Sequence, residues 1–188
     1  MTHAPERKFY LKHFKAISQA IATYEDFTQL VNHLVEGMCR TFQVKGASIM
    51  LLDEIEQTMF RVSSYGISEA YLEKGRVFAD PKMCAIYTGN VEIVEDFQND
   101  ERVQYPEAAA EEGISSMMSI PIKYRRTNIG LIRIYHSERL ELHPDDQDSL
   151  YVMGCQLGVV IEANGLRNFV EQIKVAIDSL PPRIRGSA

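Results

Sequence analysis

The spacing of apolar residues predicts one helix near each end of the chain and another close to the first. From residue 10 the apolar side chains recur at intervals of four and three, which places them on one stripe of a helix: Tyr10, Phe14, Ile17, Ile21 and Tyr24. A wider stripe over residues 27–42 is typical of a helix that packs on a sheet. Thr23 and Asp26 resemble a capping-box pair at its start.

The last predicted helix runs from Asp145 to about Leu180, with Pro144 in its first turn and Pro181-Pro182 ending it. Acidic residues follow Pro144, where they favour the helix dipole. Its later apolar residues repeat the spacing of four and three: Leu166, Val170, Ile173, Ile177 and Leu180. The residues after it are expected to form a frayed tail.

Short β-rich runs bounded by polar turns predict two hairpins. The first pairs residues 46–52 with 58–64, and the second pairs residues 114–122 with 129–136 around a basic turn. A further short strand is predicted at residues 91–94. The strand-sized apolar run over residues 130–135 is interrupted by Arg133.

Short helices and irregular segments are predicted between the hairpins. Asp80 as N-cap and Pro81 in the first turn predict a short helix through Tyr87, and Pro106–Glu112 reads as a helical turn closed by Gly113. This order of elements has no regular strand–helix–strand alternation. The sequence therefore predicts an α+β fold, with a central antiparallel sheet of five to six strands and helices on both sides.

Composition limits the possible class of protein. The 188 residues fit one domain with flanking helices, and the formal net charge of -6 disfavours binding to nucleic acid. No apolar run approaches the ~20 residues that cross a bilayer, and the N-terminus lacks a secretory pattern. Cys39, Cys84 and Cys155 are widely spaced and odd in number, which indicates reduced thiols in a cytoplasmic protein. Met1 favours an intact N-terminus.

Several segments, in order, resemble a GAF domain. Residues 113–122, 128–136 and 142–150 match its small-residue strand ending in proline, its Ile-Gly-x-Leu strand and its acidic helix start. In the first half the similar segments are residues 47–53, 65–66, 88–91 and 94–96. The resemblance covers roughly residues 27–164. It divides the chain into an N-terminal helix (1–24), a GAF domain (25–165) and a C-terminal helix extension with a flexible tail (166–188).

The resemblance implies a small-molecule-binding regulatory or sensory module rather than an enzyme. It places the first, second and last helices behind the sheet, and a ligand pocket on the other face. The ligand-binding candidates are the residues expected beside that pocket: Tyr65, Cys84, Tyr87, Asp96, Arg102, Ser115, Met117 and Ser119. Strand alternation puts the last three on one face, which either lines the pocket or is solvated. Arg102 could bind an anion, whereas Asn99 and Asp100 are expected to cap a turn.

Cys84 carries the alternative enzymatic hypothesis, a thiol-dependent reductase similar to the free methionine sulfoxide reductases. Those GAF-like enzymes use several cysteines in nearby loops, whereas Cys39 and Cys155 are predicted on helices behind the sheet. A bilin attachment site usually carries Cys-His, but Ala85 follows Cys84. A buried structural thiol is therefore expected. The histidines lack metal-ligand spacing, so neither a metal nor a cofactor is expected: His3, His13, His33, His136 and His143.

The two terminal stripes favour a homodimer. A helical seam with a 3.5-residue period that its own domain cannot cover tends to pack against a second copy. The alternative is that the two terminal helices pack on each other within one chain. A third hypothesis is a dimerisation adaptor whose pocket binds nothing. The cyclic-nucleotide signature of some GAF domains, Asn-Lys…Phe…Asp-Glu, is not found in the sequence.

Overall fold

The computed structural model of the chain describes residues 5–24, 26–79 and 84–179. Six strands form one antiparallel sheet in the order β3-β2-β1-β6-β5-β4. The strands are β1 (Gly46–Asp53), β2 (Thr58–Tyr65), β3 (Val77–Phe78), β4 (Glu92–Val94), β5 (Ser116–Tyr124) and β6 (Thr127–His136). The helices are α1 (Leu11–Thr23), α2 (Phe27–Phe42), α3 (Glu69–Leu72), α4 (Cys84–Thr88), α5 (Pro106–Glu112) and α6 (Pro144–Ser179). The predicted α+β fold is confirmed.

One face of the sheet, called the helix face below, packs on α2 and α6. Alternate residues of the central strands, such as Ile49, Ile120 and Ile132, are fully buried there. α6 lies close to β5 because Gly154 and Gly158 carry no side chain. A Cβ at those two positions would stand 2.4 Å from the Pro121 oxygen and 1.9 Å from the Lys123 oxygen.

α1 lies on the same side of the sheet as α2 but further out. None of its residues is fully buried, and its partly buried side chains pack against the helix-face core: Phe14, Ile17, Ala20 and Ile21. The predicted stripe is therefore only half covered in the single chain. Leu11 and Tyr10, at the start of α1, remain 81% and 45% exposed.

The opposite face of the sheet, called the cavity face below, is covered by α3, α4, α5 and their loops. Two smaller clusters form the core on this side. One is built around Met50, Met59 and Val77, and the other around Tyr71, Phe97 and Met117. Helices therefore lie on both sides of the sheet, as the sequence predicted. Among the described residues, the middle of the cavity face is covered by short helices and loops.

The structure corrects the predicted capping pair between α1 and α2. Asp26 is itself the N-cap of α2, where its Oδ1 accepts a hydrogen bond of 3.0 Å from the Gln29 N–H. Thr23 instead ends α1, and its hydroxyl donates to the Gln19 carbonyl at 2.8 Å. The short Asp side chain reaches the third following amide without a reciprocal partner.

Other boundaries also differ from the prediction. The segment after β2 was expected to be irregular, yet it contains α3 and β3. The Ser68 side chain caps α3 by accepting a hydrogen bond from the Tyr71 N–H. A helix of four residues is too short to show a repeating apolar pattern in the sequence. The predicted cap by Asp80 and Pro81, and the tail after α6, lie outside the described residues.

Candidate functional site

A row of buried polar side chains crosses the cavity face. Ser48 on β1 lies opposite Arg133 on β6, and Arg133 lies opposite Ser119 on β5. Directly opposed residues in antiparallel strands point to the same face of a sheet. The three residues are only 3%, 8% and 6% exposed. Polar groups are thus held within a face whose other central positions are apolar.

Ser48, at one end of this row, lines a cavity of about 310 Å³, which is called the large cavity below. Strands β1, β2 and β6 form its floor, and the segment from α3 to β3 forms its wall. Its lining combines sulfur-containing, aliphatic and basic side chains: Ser48, Met50, Met59, Arg61, Leu72, Lys74, Gly75, Arg76, Val77 and Tyr135. At its floor the Ser48 and Tyr135 hydroxyls share a hydrogen bond of 3.2 Å.

A second cavity of about 30 Å³, the small cavity, adjoins the large one and shares Lys74 and Val77 with it. Its lining comes from α3, from the loop after β4 and from the sheet: Tyr71, Phe97, Arg102, Val103, Gln104, Tyr105, Met117 and Arg133. Lys74 therefore stands between the two spaces.

The Lys74 ammonium lies against aromatic rings. Nζ donates to the Tyr71 carbonyl at 3.1 Å and stands 3.7 Å from the centre of the Tyr71 ring. Burial, together with the positive charges of Arg133 and Arg61, lowers the pKa of Lys74 to about 8. Burial also raises the pKa of the Tyr71 phenol. The Tyr71 ring meets Tyr135 edge to face at 6.0 Å.

Arg102, an anion-binding candidate from the sequence, lies in the wall of the small cavity. Its Nε donates to Asp100 Oδ1 at 2.9 Å, its Nη2 donates to the Ile93 carbonyl at 3.1 Å, and its Nη1 stands 3.5 Å from Glu92. The guanidinium therefore joins β4 to the following loop. The pKa of Asp100 is held below its usual value chiefly by the hydrogen bond from Arg102.

Four other candidates lie apart from the two cavities. Tyr65 stands opposite Ala47, on the helix face, and is 41% exposed. The Tyr87 hydroxyl donates to the Ala79 carbonyl at 2.7 Å, joining α4 to the end of β3. Asp96 accepts from the Gln98 N–H and from Asn99 in an exposed turn. Ser115 precedes β5 and donates to the Ser137 carbonyl at 2.8 Å.

Two of the remaining candidates lie on the cavity face. Met117 lines the small cavity, and Ser119 shares the cavity face with it. Cys84 begins α4, but its side chain is outside what the structure describes. Sequence reasoning missed Lys74, which follows the unpredicted helix α3. It also missed Arg133, although a lone charge inside an otherwise apolar strand was a usable signal.

A third cavity, of about 410 Å³, is a groove on the outer surface between the N-terminal segment and α6. It is called the outer groove below, and its lining is mostly apolar: Arg7, Phe9, Tyr10, Leu11, Phe14, Asp145, Asp148, Ser149 and Val152. Leu11 and Val152 are 81% and 42% exposed within it. The outer groove lies beside the helices rather than over the sheet.

Within residues 5–24, 26–79 and 84–179, no group of three or more His, Cys, Asp or Glu side chains is placed to hold a metal ion. In the same part of the chain, no helix is both long enough and apolar enough to cross a bilayer.

Comparison with known proteins identifies the family. The GAF domain family model matches residues 25–162, and the chain belongs to this family. A comparison with the sequences of curated proteins gives no significant match. The resemblance noted from the sequence is therefore confirmed by the family model and by the fold.

Solved structures share the fold at low sequence identity. The GAF domain of a phosphoenolpyruvate-protein phosphotransferase from Coxiella burnetii superposes with a TM-score of 0.74 at 15% identity, covering 84% of this chain and 95% of its own. A domain described as part of a two-component sensor histidine kinase from Sinorhizobium meliloti 1021 superposes with a TM-score of 0.61 at 18% identity, covering 74% of this chain and 93% of its own. A type II free methionine-R-sulfoxide reductase from Thermoplasma acidophilum superposes with a TM-score of 0.60 at 10% identity, covering 73% of this chain and 96% of its own.

Proposed function

We propose that this chain is a regulatory domain that binds a small molecule in the large cavity. The observation that carries the proposal is a cavity of about 310 Å³ on one face of the sheet, in which the buried Ser48 lies among apolar, tyrosine and basic side chains. Ligand sites are typically concave and mostly apolar, with a few convergent polar groups. GAF domains are mostly regulatory, and a sensor histidine kinase contains a domain of this fold.

The contrast between the two faces supports a binding role. On the helix face the same strands are filled with isoleucines that are fully buried. On the cavity face, Arg133 and Ser48 occupy equivalent central positions. Burying an arginine costs stability that a packed apolar side chain would not cost. A site of ligand recognition accounts for the retention of these polar groups in the middle of the sheet.

Thermal unfolding with a panel of small metabolites tests the proposal. A ligand that binds only the folded state raises the unfolding temperature. We expect at least one metabolite to do so with the wild type and not with Ser48→Met, which places a larger side chain in the large cavity. Thr127→Met, at the exposed start of β6, is the matched control. A shift that Ser48→Met retains in full would contradict the assignment.

We further propose that the domain pairs with a second copy through its terminal helices. Val152, Val159, Leu166 and Ile173 lie seven residues apart on α6 and are 42%, 57%, 56% and 43% exposed. This set is called the α6 seam below. A seven-residue apolar repeat is the signature of a two-stranded coiled coil. The outer groove continues the seam at Val152, which supports α1 as part of the same interface.

The geometry favours a non-enzymatic domain over a thiol-dependent reductase. Cys39 is buried in the helix-face core, and burial raises its pKa to about 12, so its thiolate is not available at neutral pH. Cys155 lies on α6. Neither thiol is placed on the cavity-face elements to act with Cys84. Free thiols at Cys39 and Cys155 also support our proposal that the domain works in the cytoplasm.

A further inference from the structure

We propose that two copies of this chain pair in parallel and in register along the distal half of α6 (residues 159–175), with Glu162 of each copy beside the partner's Arg167. This inference rests on the proposed pairing through the terminal helices and adds the direction in which the two helices run. It follows from the exposure of the distal half of α6, from its apolar stripe and from the charges that flank the stripe.

The two halves of α6 have different surroundings. In the first half, Leu150, Met153 and Leu157 are fully buried in the helix-face core. Farther along, residues 165–175 are all exposed. Most of the stability of a helix in a protein comes from the packing of an apolar face against another element. The described part of this chain supplies no such element to the end of α6, so a partner molecule is the natural source of packing.

An apolar stripe runs along the distal half of α6. It consists of exposed residues at alternating intervals of four and three: Val159, Ala163, Leu166, Val170 and Ile173. This spacing repeats every seven residues, so the α6 seam occupies position d of a heptad, and Ala163 and Val170 occupy position a. Two stripes of this kind cover each other when two helices supercoil. A symmetric dimer uses the same surface on both copies, and this stripe meets that condition.

The residues on either side of the stripe bear on the direction of the helices. Glu162 and Phe169 occupy position g of the heptad, whereas Arg167 and Lys174 occupy position e. In a parallel pair, each g residue faces the e residue five positions later on the other helix. Glu162 therefore faces the partner's Arg167, where opposite charges attract. Phe169 faces the partner's Lys174, whose stem and ammonium group can cover the ring.

An antiparallel pair loses these contacts. Position e then faces position e, and position g faces position g. In the registers that overlap the two stripes most fully, Arg167 would face the partner's Arg167 or the partner's Lys174. Glu162 would face another g position, where the stripe has no cation. Like charges that face each other oppose association, so the flanking charges favour the parallel direction.

The two charged side chains are available for a contact between copies. Glu162 is half-buried and Arg167 is exposed. Within the part of the chain that the structure describes, neither side chain forms an ion pair or a side-chain hydrogen bond. A contact between Glu162 and the partner's Arg167 would therefore form without breaking an existing one.

Disulfide formation across the stripe tests the direction. Val159→Cys and Ile173→Cys place thiols about 21 Å apart along the helix. In a parallel pair each thiol meets its own counterpart, so both variants should form a disulfide-linked dimer under mild oxidation, at least tenfold faster than Asn168→Cys. Asn168 is the matched control because it is exposed on the same helix outside the stripe. In an antiparallel pair, at most one of the two positions can lie on the symmetry axis. The wild type measures the background from the native thiols.

Charge reversal tests the contact between Glu162 and the partner's Arg167. Arg167→Glu should weaken the dimer about tenfold in Kd, because it sets two glutamates against each other at both symmetric contacts. Exchanging the charges, with Glu162→Arg and Arg167→Glu together, should restore the wild-type Kd. Glu171→Arg reverses a charge outside positions e and g and should change the Kd less than twofold. Analytical ultracentrifugation measures all four proteins.

The outcomes separate the direction from the pairing itself. A wild type that stays monomeric at high concentration, or a dimer that neither cysteine in the stripe links, overturns the pairing through α6. A dimer that only one of the two cysteines links, or that Arg167→Glu leaves unchanged or tightens, keeps the pairing and overturns the parallel direction. A parallel dimer that the charge exchange fails to restore overturns the contact between Glu162 and the partner's Arg167.

Discussion

The backbone N–H of Phe9 donates a hydrogen bond to the Asp146 carboxylate, with 2.9 Å between nitrogen and Oδ1. The Lys8 N–H donates to the other carboxylate oxygen at 2.8 Å, and Asp146 is completely buried. Phe9 immediately precedes the start of α1, whereas Asp146 lies in the first turn of α6. A single buried side chain therefore ties together the beginnings of the two terminal helices.

Replacing Asp146 should release the N-terminal segment. Asp146→Ala leaves two backbone N–H groups without an acceptor, and we expect it to lower the free energy of unfolding by about 2–3 kcal/mol. Asp146→Asn keeps one acceptor oxygen and should lower the free energy of unfolding by less. Hydrogen exchange should be faster at Lys8, Phe9 and the α1 amides, while the β5 and β6 amides keep their order of protection. Unchanged protection at Phe9 would show that the carboxylate does not hold this segment.

Lys74→Met should make the protein more stable at neutral pH. The folded pKa of Lys74 is about 8 and the ordinary value is 10.5, so the unfolded chain binds the proton more tightly. The cost of keeping Lys74 charged in the folded state is complete below pH 8 and disappears as the pH rises to about 10.5. The stability gain of Lys74→Met should therefore shrink over that interval.

Denaturant unfolding of wild type and variant at pH 7 and pH 10 measures this difference, since the other lysines and tyrosines titrate in both proteins. Lys74→Arg is the control, because it retains a charge over the whole interval. A gain that is equal at both pH values would mean that the charge of Lys74 carries no cost in the folded protein.

Disrupting the α6 seam should convert a dimer into a monomer. Leu166→Asp with Ile173→Asp places four carboxylates in the seam of a paired molecule, where like charges repel. Light scattering coupled to gel filtration should then report about half the wild-type mass. Asn168→Asp, an exposed position on the same helix outside the seam, should leave the mass unchanged. A wild-type protein that is monomeric at high concentration would rule out the proposed pairing.

Cys84→Ser should not change the rate at which the protein reduces free methionine sulfoxide, because we expect no reduction by the wild type either. Cys39, whose pKa is raised to about 12, lies on α2 and Cys155 lies on α6, so both of these thiols are on helices that pack on the opposite face of the sheet from α4. We expect no reduction by either the wild type or Cys84→Ser in an assay supplied with a dithiol reductant. Turnover by the wild type that Cys84→Ser abolishes would establish the enzymatic alternative.

Much of the fold could be predicted from local patterns. The 27–42 helix was predicted with its observed bounds from its amphipathic stripe, although Asp26 was expected as the partner of Thr23 and not as the N-cap. The two hairpins were also found from their alternation and turns. α3 and β3 could not be found in this way, since elements of four and two residues are too short to carry a period. They depend on the sheet and on α5 for their packing.

The candidate site was harder to predict than the fold. Met117 and Ser119 were placed on one face of the strand by alternation. Ser115 precedes the first residue of β5, where alternation no longer determines the direction of a side chain. Tyr65 is turned to the helix face by the bulge between Ile49 and Met50, which shifts the register of β1 against β2. Lys74 reaches the cavities only because α3 folds over the sheet, and this contact is not encoded by local sequence.

The most direct test of the central claim is to find which face of the sheet responds to a ligand. A low-molecular-mass extract of cell metabolites is added to protein carrying ¹³C-labelled methionine methyls, and the spectrum is compared with that of the protein alone. We predict that the signals of Met50, Met59 and Met117 move while those of Met118 and Met153 stay in place. A response confined to Met118 and Met153, or no response from any cavity-face methionine, would contradict a ligand site in the large cavity.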